Sequence, residues 1–210
     1  MRLPFFSQRP RASLEEIRQS FEQAAADEEH FPSTIDPRIF HVKLIVDYFG
    51  DLAGKRVLDV GSGKGRFARV LKDNNPAAQV TALDLAVAML RFVPKDIAPC
   101  SATMTALPFR DASFHAAYAT ESLEHAVDIE KAVAEICRVV EPGGQIVIID
   151  KNAEHWGKLK TPHWEKWFRR KELEKLLGRH CAEVSSQPIS YWEDVEPDGL
   201  FLAWLARKGR

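Results

Sequence analysis

The sequence has 210 residues, of which 45% are hydrophobic and 28% are charged, and its formal net charge at pH 7 is −1. These values are typical of one globular domain with a buried core. The balanced charge excludes a global electrostatic attraction to nucleic acid or to an anionic membrane, and no segment is apolar over the length that a membrane-spanning helix needs. The three cysteines are widely spaced, as in cytoplasmic proteins with reduced thiols. We therefore expect a cytoplasmic protein without a membrane span.

The N-terminal part of the chain is predicted to be helical. Ser13 and Glu16 form a capping-box pair, and apolar residues at helical spacing predict a helix from there to about His30. A second apolar stripe over residues 39–48 predicts another helix. We expect residues 1–50 to form a helical extension that can act as a lid.

The rest of the chain, residues 51–210, alternates between strand-like and helix-like patterns and is expected to form one globular unit. Strands are predicted at 57–60, 79–83, 98–103, 113–119 and 145–149, with helices between them, one of them at 86–92. Such alternation favours a three-layer α/β fold with a mainly parallel sheet. Two further strand-like runs, 182–191 and 200–206, are joined by a short turn and predict an antiparallel C-terminal hairpin at the sheet edge.

The first predicted strand ends in a glycine-rich turn that opens a helix. Its pattern is Asp59-x-Gly61-x-Gly63-x-Gly65, and glycines allow positive φ angles and a close approach of a ligand to the backbone. A strand, a glycine turn and a helix N-terminus together form a cradle for the polar end of a nucleotide-like ligand. Asp84 ends the second strand, 23 residues after Gly61, where a carboxylate can accept hydrogen bonds from both hydroxyls of a ribose.

A dinucleotide-binding unit is the obvious alternative, but it requires the spacing G-x-G-x-x-G, and here the third glycine comes one residue early. In four segments the sequence instead resembles the class I S-adenosylmethionine-dependent methyltransferases, in particular the small-molecule branch that is similar to the enzymes of ubiquinone and menaquinone biosynthesis. The segments are VLDVGSGKGRF (57–67), VTALDLAVAML (80–90), ALPFRDASFHAAYATESLEH (106–125) and RVVEPGGQIVIID (138–150). The resemblance implies a Rossmann-like three-layer sandwich with a seven-stranded, mostly parallel sheet that ends in an antiparallel hairpin.

The resemblance also implies a set of cofactor-binding residues. They are Asp59, Gly61, Ser62, Gly63, Asp84, Leu85, Thr103, Met104, Thr105 and Thr120. Within this set the glycine turn would contact the methionine end of S-adenosylmethionine, Asp84 the ribose, and Met104 and Thr105 the adenine. The chain departs from the family at two positions: Thr103 stands where an acid often binds the adenine amine, and His115 stands where Asp follows Phe in the fourth strand.

Catalysis of methyl transfer from a sulfonium mainly requires that nucleophile, methyl carbon and sulfur be held in line, but an oxygen nucleophile also needs a proton acceptor or a metal. Glu121, Glu124 and His125 have a spacing that places them on one helical face. The pattern is similar to the E-x-x-E-H of ubiquinone-biosynthesis O-methyltransferases and small-RNA 2′-O-methyltransferases, where it is associated with a divalent metal. We expect His125 or Glu121 to accept the proton, with His155 and His163 as secondary candidates.

Two alternatives stay open in this region. A divalent metal held by Glu121, Glu124 and His125 is one; in the other, the site is metal-free, His125 packs beside the cofactor, and the glutamates cap a helix or face solvent. The segment 151–168, rich in Trp, His and Lys, is expected to be an insertion on the substrate side, since aromatic faces stack on flat or apolar acceptors. The helical spacing of Trp164 and Trp167 is equally typical of plain packing.

The combined expectation is a transferase (EC 2.1.1) that uses S-adenosylmethionine to methylate an oxygen or nitrogen atom of a small-molecule metabolite. A tRNA or protein methyltransferase is an alternative, and the balanced charge and the lack of a basic stripe count against nucleic acid. A non-catalytic S-adenosylmethionine-binding partner or sensor domain is an alternative of another class. The sequence does not predict the oligomeric state.

Overall fold

The computed structural model describes residues 12–210; residues 1–11, which belong to the predicted N-terminal extension, lie outside the described residues. The helices are α1 (Leu14–Ala24), α2 (Phe40–Phe49), α3 (Arg66–Asn74), α4 (Val87–Leu90), α5 (Ile129–Val139) and α6 (Arg170–Leu177). The strands are β1 (Arg56–Val60), β2 (Gln79–Asp84), β3 (Ala98–Ser101), β4 (Phe114–Thr120), β5 (Val140–Lys151), β6 (Cys181–Ile189) and β7 (Phe201–Lys208). Over this part of the chain, no helix has the length and apolar character needed to cross a membrane.

The strands form one seven-stranded sheet in the order β3-β2-β1-β4-β5-β7-β6. Strands β1 to β5 are parallel to one another, whereas β7 runs antiparallel to both β5 and β6. The predicted fold class and the predicted C-terminal hairpin are thereby confirmed. Of the hairpin strands it is the last, β7, that joins the parallel part of the sheet. The strand order reverses between β1 and β4, which is the switch point where open α/β sheets bind their ligands.

Helices cover both faces of the sheet and create two hydrophobic layers. One face packs against α5 and α6, for example through Ile136 and Leu177, and the other packs against α2 and α3 through Ile45 and Leu71. Successive side chains of a strand point to opposite faces, so both faces of the central strands are apolar and the strands read as continuous hydrophobic runs. The sheet core therefore includes α2, while α1 packs in smaller clusters beside the carboxyl ends of the strands. The division of the chain at residue 50 stays a prediction.

Three elements differ from their predicted extent. Helix α1 ends at Ala24, not near His30, because the Asp27 carboxylate accepts hydrogen bonds from the backbone of Glu29 and His30 (2.9 and 3.0 Å) and folds the chain into a turn. Helix α4 is a single turn of four residues. Strand β5 begins at Val140, before the predicted start at residue 145, and its pairing with β4 is irregular between Phe114 and Ala116.

Candidate functional site

A cavity of about 440 Å³ opens at the carboxyl ends of β1, β2 and β4, at the switch point of the sheet. Its floor is formed by the glycine turn, by the end of β2 and by the residues that follow β3 and β4. Helix α1, residues 30–32 and residues 159–162 form the opposite wall. The volume lies in the range of small-molecule and cofactor pockets.

The glycine turn is held by backbone hydrogen bonds that leave it open toward the cavity. The N–H groups of Gly61 and Ser62 both donate to the carbonyl of Leu83, at 2.7 and 2.9 Å. Gly61 has φ +75°, and a Cβ atom there would lie 2.5 Å from the Cβ of Ser122. Only glycine fits at position 61, because a side chain would meet both the backbone strain and this contact.

Asp84 connects the glycine turn to the end of β2. One carboxylate oxygen accepts the N–H of Gly63 at 2.7 Å, and the other accepts the N–H of Ala86 at 2.9 Å. Burial raises the pKa of Asp84, and these backbone donors act in the opposite direction. Asp84 lines the cavity, and each oxygen keeps a lone pair that can accept a ligand hydroxyl.

Most of the predicted cofactor residues line the cavity. Gly61, Ser62, Gly63, Asp84, Leu85, Thr103, Met104 and Thr120 do so. Asp59 lies below the glycine turn with 2% of its surface exposed, and burial raises its pKa to about 8. The buried Thr105 hydroxyl pairs with that of Thr103 at 2.9 Å. Asp59 and Thr105 therefore lie behind the residues that line the cavity and can act on a ligand only through them.

The segment after β4 is not a helix that carries Glu121, Glu124 and His125 on one face, and that prediction is wrong. The N–H of Glu121 still bonds to the carbonyl of Ile149 at 2.8 Å, continuing the sheet, and the chain then turns through a positive φ of 52° at this residue. Only residues 123–125 form a 3-10 turn. As a result Glu121 points away from the other two: its carboxylate accepts a hydrogen bond from the Tyr191 hydroxyl at 2.9 Å.

His125 lines the cavity as a neutral imidazole. Its Nδ1 accepts the indole N–H of Trp164 at 3.3 Å, and its Nε2 lies 3.5 Å from Oε1 of Glu124. Burial, with smaller contributions from Lys151 and Lys166, lowers the pKa of His125 to about 3. Because Nδ1 is the acceptor in the bond to Trp164, the proton of the neutral ring belongs on Nε2. The ring has no free lone pair for a substrate proton in this arrangement.

A buried ion cluster at the end of β5 was missed by the sequence analysis. The ammonium of Lys151 contacts Oε1 of Glu124 and, at 3.1 Å, Oε1 of Glu165. Trp167 donates its indole N–H to the same Glu165 oxygen at 2.7 Å, and Asp150 accepts the N–H of Glu124 at 3.1 Å. The available signal was an Asp-Lys pair directly after the apolar run 146–149, where parallel strands expose their carboxyl ends to a ligand.

The secondary catalytic candidates lie outside the cavity. The ring of His155 packs against Gly199, where a Cβ atom would approach its Nε2 to 2.9 Å. His163 is exposed, with its ring edge-on to Trp164 and its Nε2 3.5 Å from Glu16. From the segment 151–168, the cavity is lined by Lys151, residues 159–162 and Glu165, while Trp164 and Trp167 are buried in packing.

The N-terminal residues are tied to the cavity at several points, which the sequence analysis did not predict. Lys64 of the glycine turn, 3% exposed, donates to the Glu28 carboxylate at 2.6 Å. The Glu22 carboxylate accepts the first free N–H groups of α4 at 2.8 and 3.0 Å, which is how an acid caps a helix. Phe21 packs edge-on against the ring of His125, with 5.0 Å between centroids. Helix α1 and the turn after it therefore contact the glycine turn, the start of α4 and His125.

Comparison with known proteins gives a consistent result. Residues 58–148 match the methyltransferase domain family. A demethylmenaquinone methyltransferase from Renibacterium salmoninarum is 35% identical over 175 residues, which cover 80% of this chain and 71% of the relative. Two other relatives with that name, from Thermus thermophilus (34% identical) and Paenarthrobacter aurescens (30% identical), align with 50% and 80% of this chain and with 51% and 66% of their own lengths.

Solved structures of similar fold extend over almost the whole chain. The [4+2]-cyclase SpnF superposes with a TM-score of 0.76 at 17% identity, covering 96% of this chain and 98% of its own. The 1,6-didemethyltoxoflavin-N1-methyltransferase of Burkholderia thailandensis, with bound 1,6-didemethyltoxoflavin and S-adenosylhomocysteine, superposes with a TM-score of 0.73 at 22% identity, covering 97% of both chains. At these identities the similarity establishes the fold alone, and the cyclase illustrates that one fold serves different reactions.

Proposed function

Because the chain belongs to the class I S-adenosylmethionine-dependent methyltransferases, we propose that its cavity binds S-adenosylmethionine and an acceptor together and that the protein methylates a small-molecule metabolite at oxygen or nitrogen. Asp84 holds the ribose, the backbone of Gly61 and Gly63 meets the methionine end, and Met104 packs against the adenine. Asp59, buried behind the residues that line the cavity, does not touch the cofactor.

The observation that carries the small-molecule proposal is the shape of the cavity. A single space of about 440 Å³ extends from Asp84 to a wall of apolar side chains that includes Ile17, Phe21 and Leu159. Helix α1 and residues 159–162 cover this end, so an acceptor enters a small covered space and not an open groove. A folded RNA or protein surface does not fit such a space, whereas a flat or apolar metabolite does.

The chain supplies position and proton transfer, while the bound cofactor supplies an electrophilic methyl group on a sulfonium. We assign proton acceptance to Glu121, which lines the cavity next to Thr120 and is oriented by the Tyr191 hydroxyl. His125 is less suited because its Nδ1 lone pair is used by Trp164. The covering residues exclude water from the reacting atoms and hold the acceptor in line with the methyl group.

Binding is tested first, by calorimetric titration of the purified protein with S-adenosylhomocysteine. Asp84→Ala should weaken binding strongly, and Asp73→Ala, which changes an exposed aspartate on α3, is the matched control. Equal affinities for the two variants would contradict the ribose assignment.

Turnover is tested next, by measuring release of S-adenosylhomocysteine with fractionated cell extract as the source of acceptor. Activity should follow the metabolite fraction. Activity that follows only the tRNA or protein fraction would contradict the small-molecule proposal, and tight binding with no turnover in any fraction would favour a sensor. Labelling the methyl group with carbon-13 identifies the acceptor atom by NMR of the product.

A further inference from the structure

Glu124, His125 and Glu165 have the arrangement of a three-ligand metal site. One ligand atom from each lies within 4.8 Å of the other two, which is a spacing at which two carboxylates and an imidazole can hold a divalent ion. This set differs from the one expected from the E-x-x-E-H pattern, because Glu121 is bonded to Tyr191 and is replaced by Glu165 from another part of the chain. These residue types are suitable metal ligands, and a metal ion would also need free space between them.

The space between these ligands holds the ammonium of Lys151. Its Nζ contacts Oε1 of both Glu124 and Glu165, the same kind of atoms that a metal would use. The side chain of Lys151 is 10% exposed, and those of Glu124 and Glu165 are 1% and 3% exposed, so the ion pairs are shielded from water. Lys151 therefore forms ion pairs with both carboxylates, and an ammonium and a divalent ion cannot share one set of ligands.

A second observation indicates that the cluster is built around a cation. Glu165 is 2% exposed and Glu124 is 1% exposed. Asp150 adds a further carboxylate next to it. Three buried carboxyl groups close together are costly unless a cation is paired with them, and Lys151 is the cation that the chain supplies.

We propose that Lys151 is the resident cation of this site: it occupies the place of a divalent metal between Glu124, His125 and Glu165, and it holds these side chains in position at the acceptor end of the cavity. Removing its charge converts the cluster into a divalent-metal site. Lys151 also lines the cavity, so a positive charge faces the acceptor without a metal. This inference concerns the same cavity as the proposed function, but its test measures metal binding. The inference can therefore fail while the proposed methyl transfer stands, and the proposed methyl transfer can fail while the inference stands.

The test is a titration of the full-length protein with Co²⁺, followed by calorimetry and by the visible absorption of the bound ion. Wild type should bind Co²⁺ only weakly, and Lys151→Met should bind it at least about 100-fold more tightly, because a like charge close to the ion repels it strongly even at an effective dielectric constant near 20. Lys151→Arg, which keeps the charge, should behave as wild type. Lys151→Met/Glu165→Gln should lose the gained site.

The wild-type protein contains the same cysteines and surface histidines as the variants, so it also controls for binding elsewhere. If Lys151→Met does not fold alone, Co²⁺ should restore its folded circular dichroism spectrum, and failure to restore it would overturn the proposal. Wild type that binds Co²⁺ as tightly as Lys151→Met would overturn it as well. Binding that persists in the double variant would place the ion at a different site and have the same consequence.

Discussion

Gly61 offers a quantitative test of the glycine turn, through the change Gly61→Ala. Two costs add at this position. An alanine held at φ +75° costs about 1–2 kcal/mol, and a methyl group 2.5 Å from the Cβ of Ser122 must displace its neighbours, for which overpacking costs are about 1–3 kcal/mol. We expect Gly61→Ala to lower the free energy of unfolding by about 2–5 kcal/mol.

The structure supplies a matched control for this change. Gly54 has nearly the same backbone angle, φ +71°, but a Cβ atom there has no neighbour within 4 Å. Gly54→Ala should therefore lower the free energy of unfolding only by the cost of the backbone angle, about 1–2 kcal/mol. Both changes reduce the conformational entropy of the unfolded chain by the same amount. The difference between the two variants isolates the contact with Ser122.

The measurement is urea unfolding followed by circular dichroism, with m-values compared to confirm a two-state transition. Ser122→Gly in the Gly61→Ala background should recover part of the loss, relative to Ser122→Gly alone. Affinity for S-adenosylhomocysteine should fall in Gly61→Ala and stay unchanged in Gly54→Ala. The reasoning is refuted if the two alanine variants are equally stable.

Three further predictions concern charge and closure. Burial raises the folded-state pKa of Asp59 to about 8, so the stability that the protonated Asp59 contributes is complete below about pH 4 and is lost as the pH rises toward 8. In that window the free energy of unfolding of the wild type should fall, relative to that of Asp59→Asn, by up to about 1.4 kcal/mol per pH unit. Parallel curves of stability against pH for the two proteins would contradict this. Glu121→Gln should lower kcat by about 10²–10⁴-fold and leave the affinity for S-adenosylhomocysteine unchanged. Tyr191→Phe removes only the hydrogen bond that orients the Glu121 carboxylate and should lower kcat less. A smaller effect of Glu121→Gln than of Tyr191→Phe would exclude Glu121 as the base. Glu28→Gln removes the charge that pairs with Lys64 and so weakens the attachment of the segment after α1 to the glycine turn. Amide hydrogen exchange of α1 should therefore become faster, and unchanged exchange rates would contradict this role of the ion pair.

The fold was predictable because its signals are local and repeated. Apolar runs such as 145–149 and turn residues such as the glycines at 61–65 lie next to each other in the chain, and the strand–helix alternation then restricts the topology. Boundaries were less predictable, since α1 ends where the Asp27 side chain bonds to the backbone beyond it, and such a competition is invisible in hydrophobic periodicity.

In the site, too, residues with local sequence signals were predictable and residues that meet only in the folded protein were not. Asp84 and the glycine turn were predicted because each residue stands at the end of its own strand. The Lys151 cluster was not, because Glu124, Lys151 and Glu165 meet only after β4, β5 and the segment after β5 have been folded together. The positive φ at Glu121 likewise separates two residues that periodicity places side by side.

The attachments of α1 have a kinetic consequence. Glu22 binds the start of α4, directly after the Asp84 loop, while Phe21 on the same helix packs against His125 at the far end of the cavity. Phe21 and Glu22 are adjacent on the helix, so α1 cannot leave one of these contacts and keep the other. Opening the cavity on the α4 side and on the His125 side therefore requires one and the same displacement of α1.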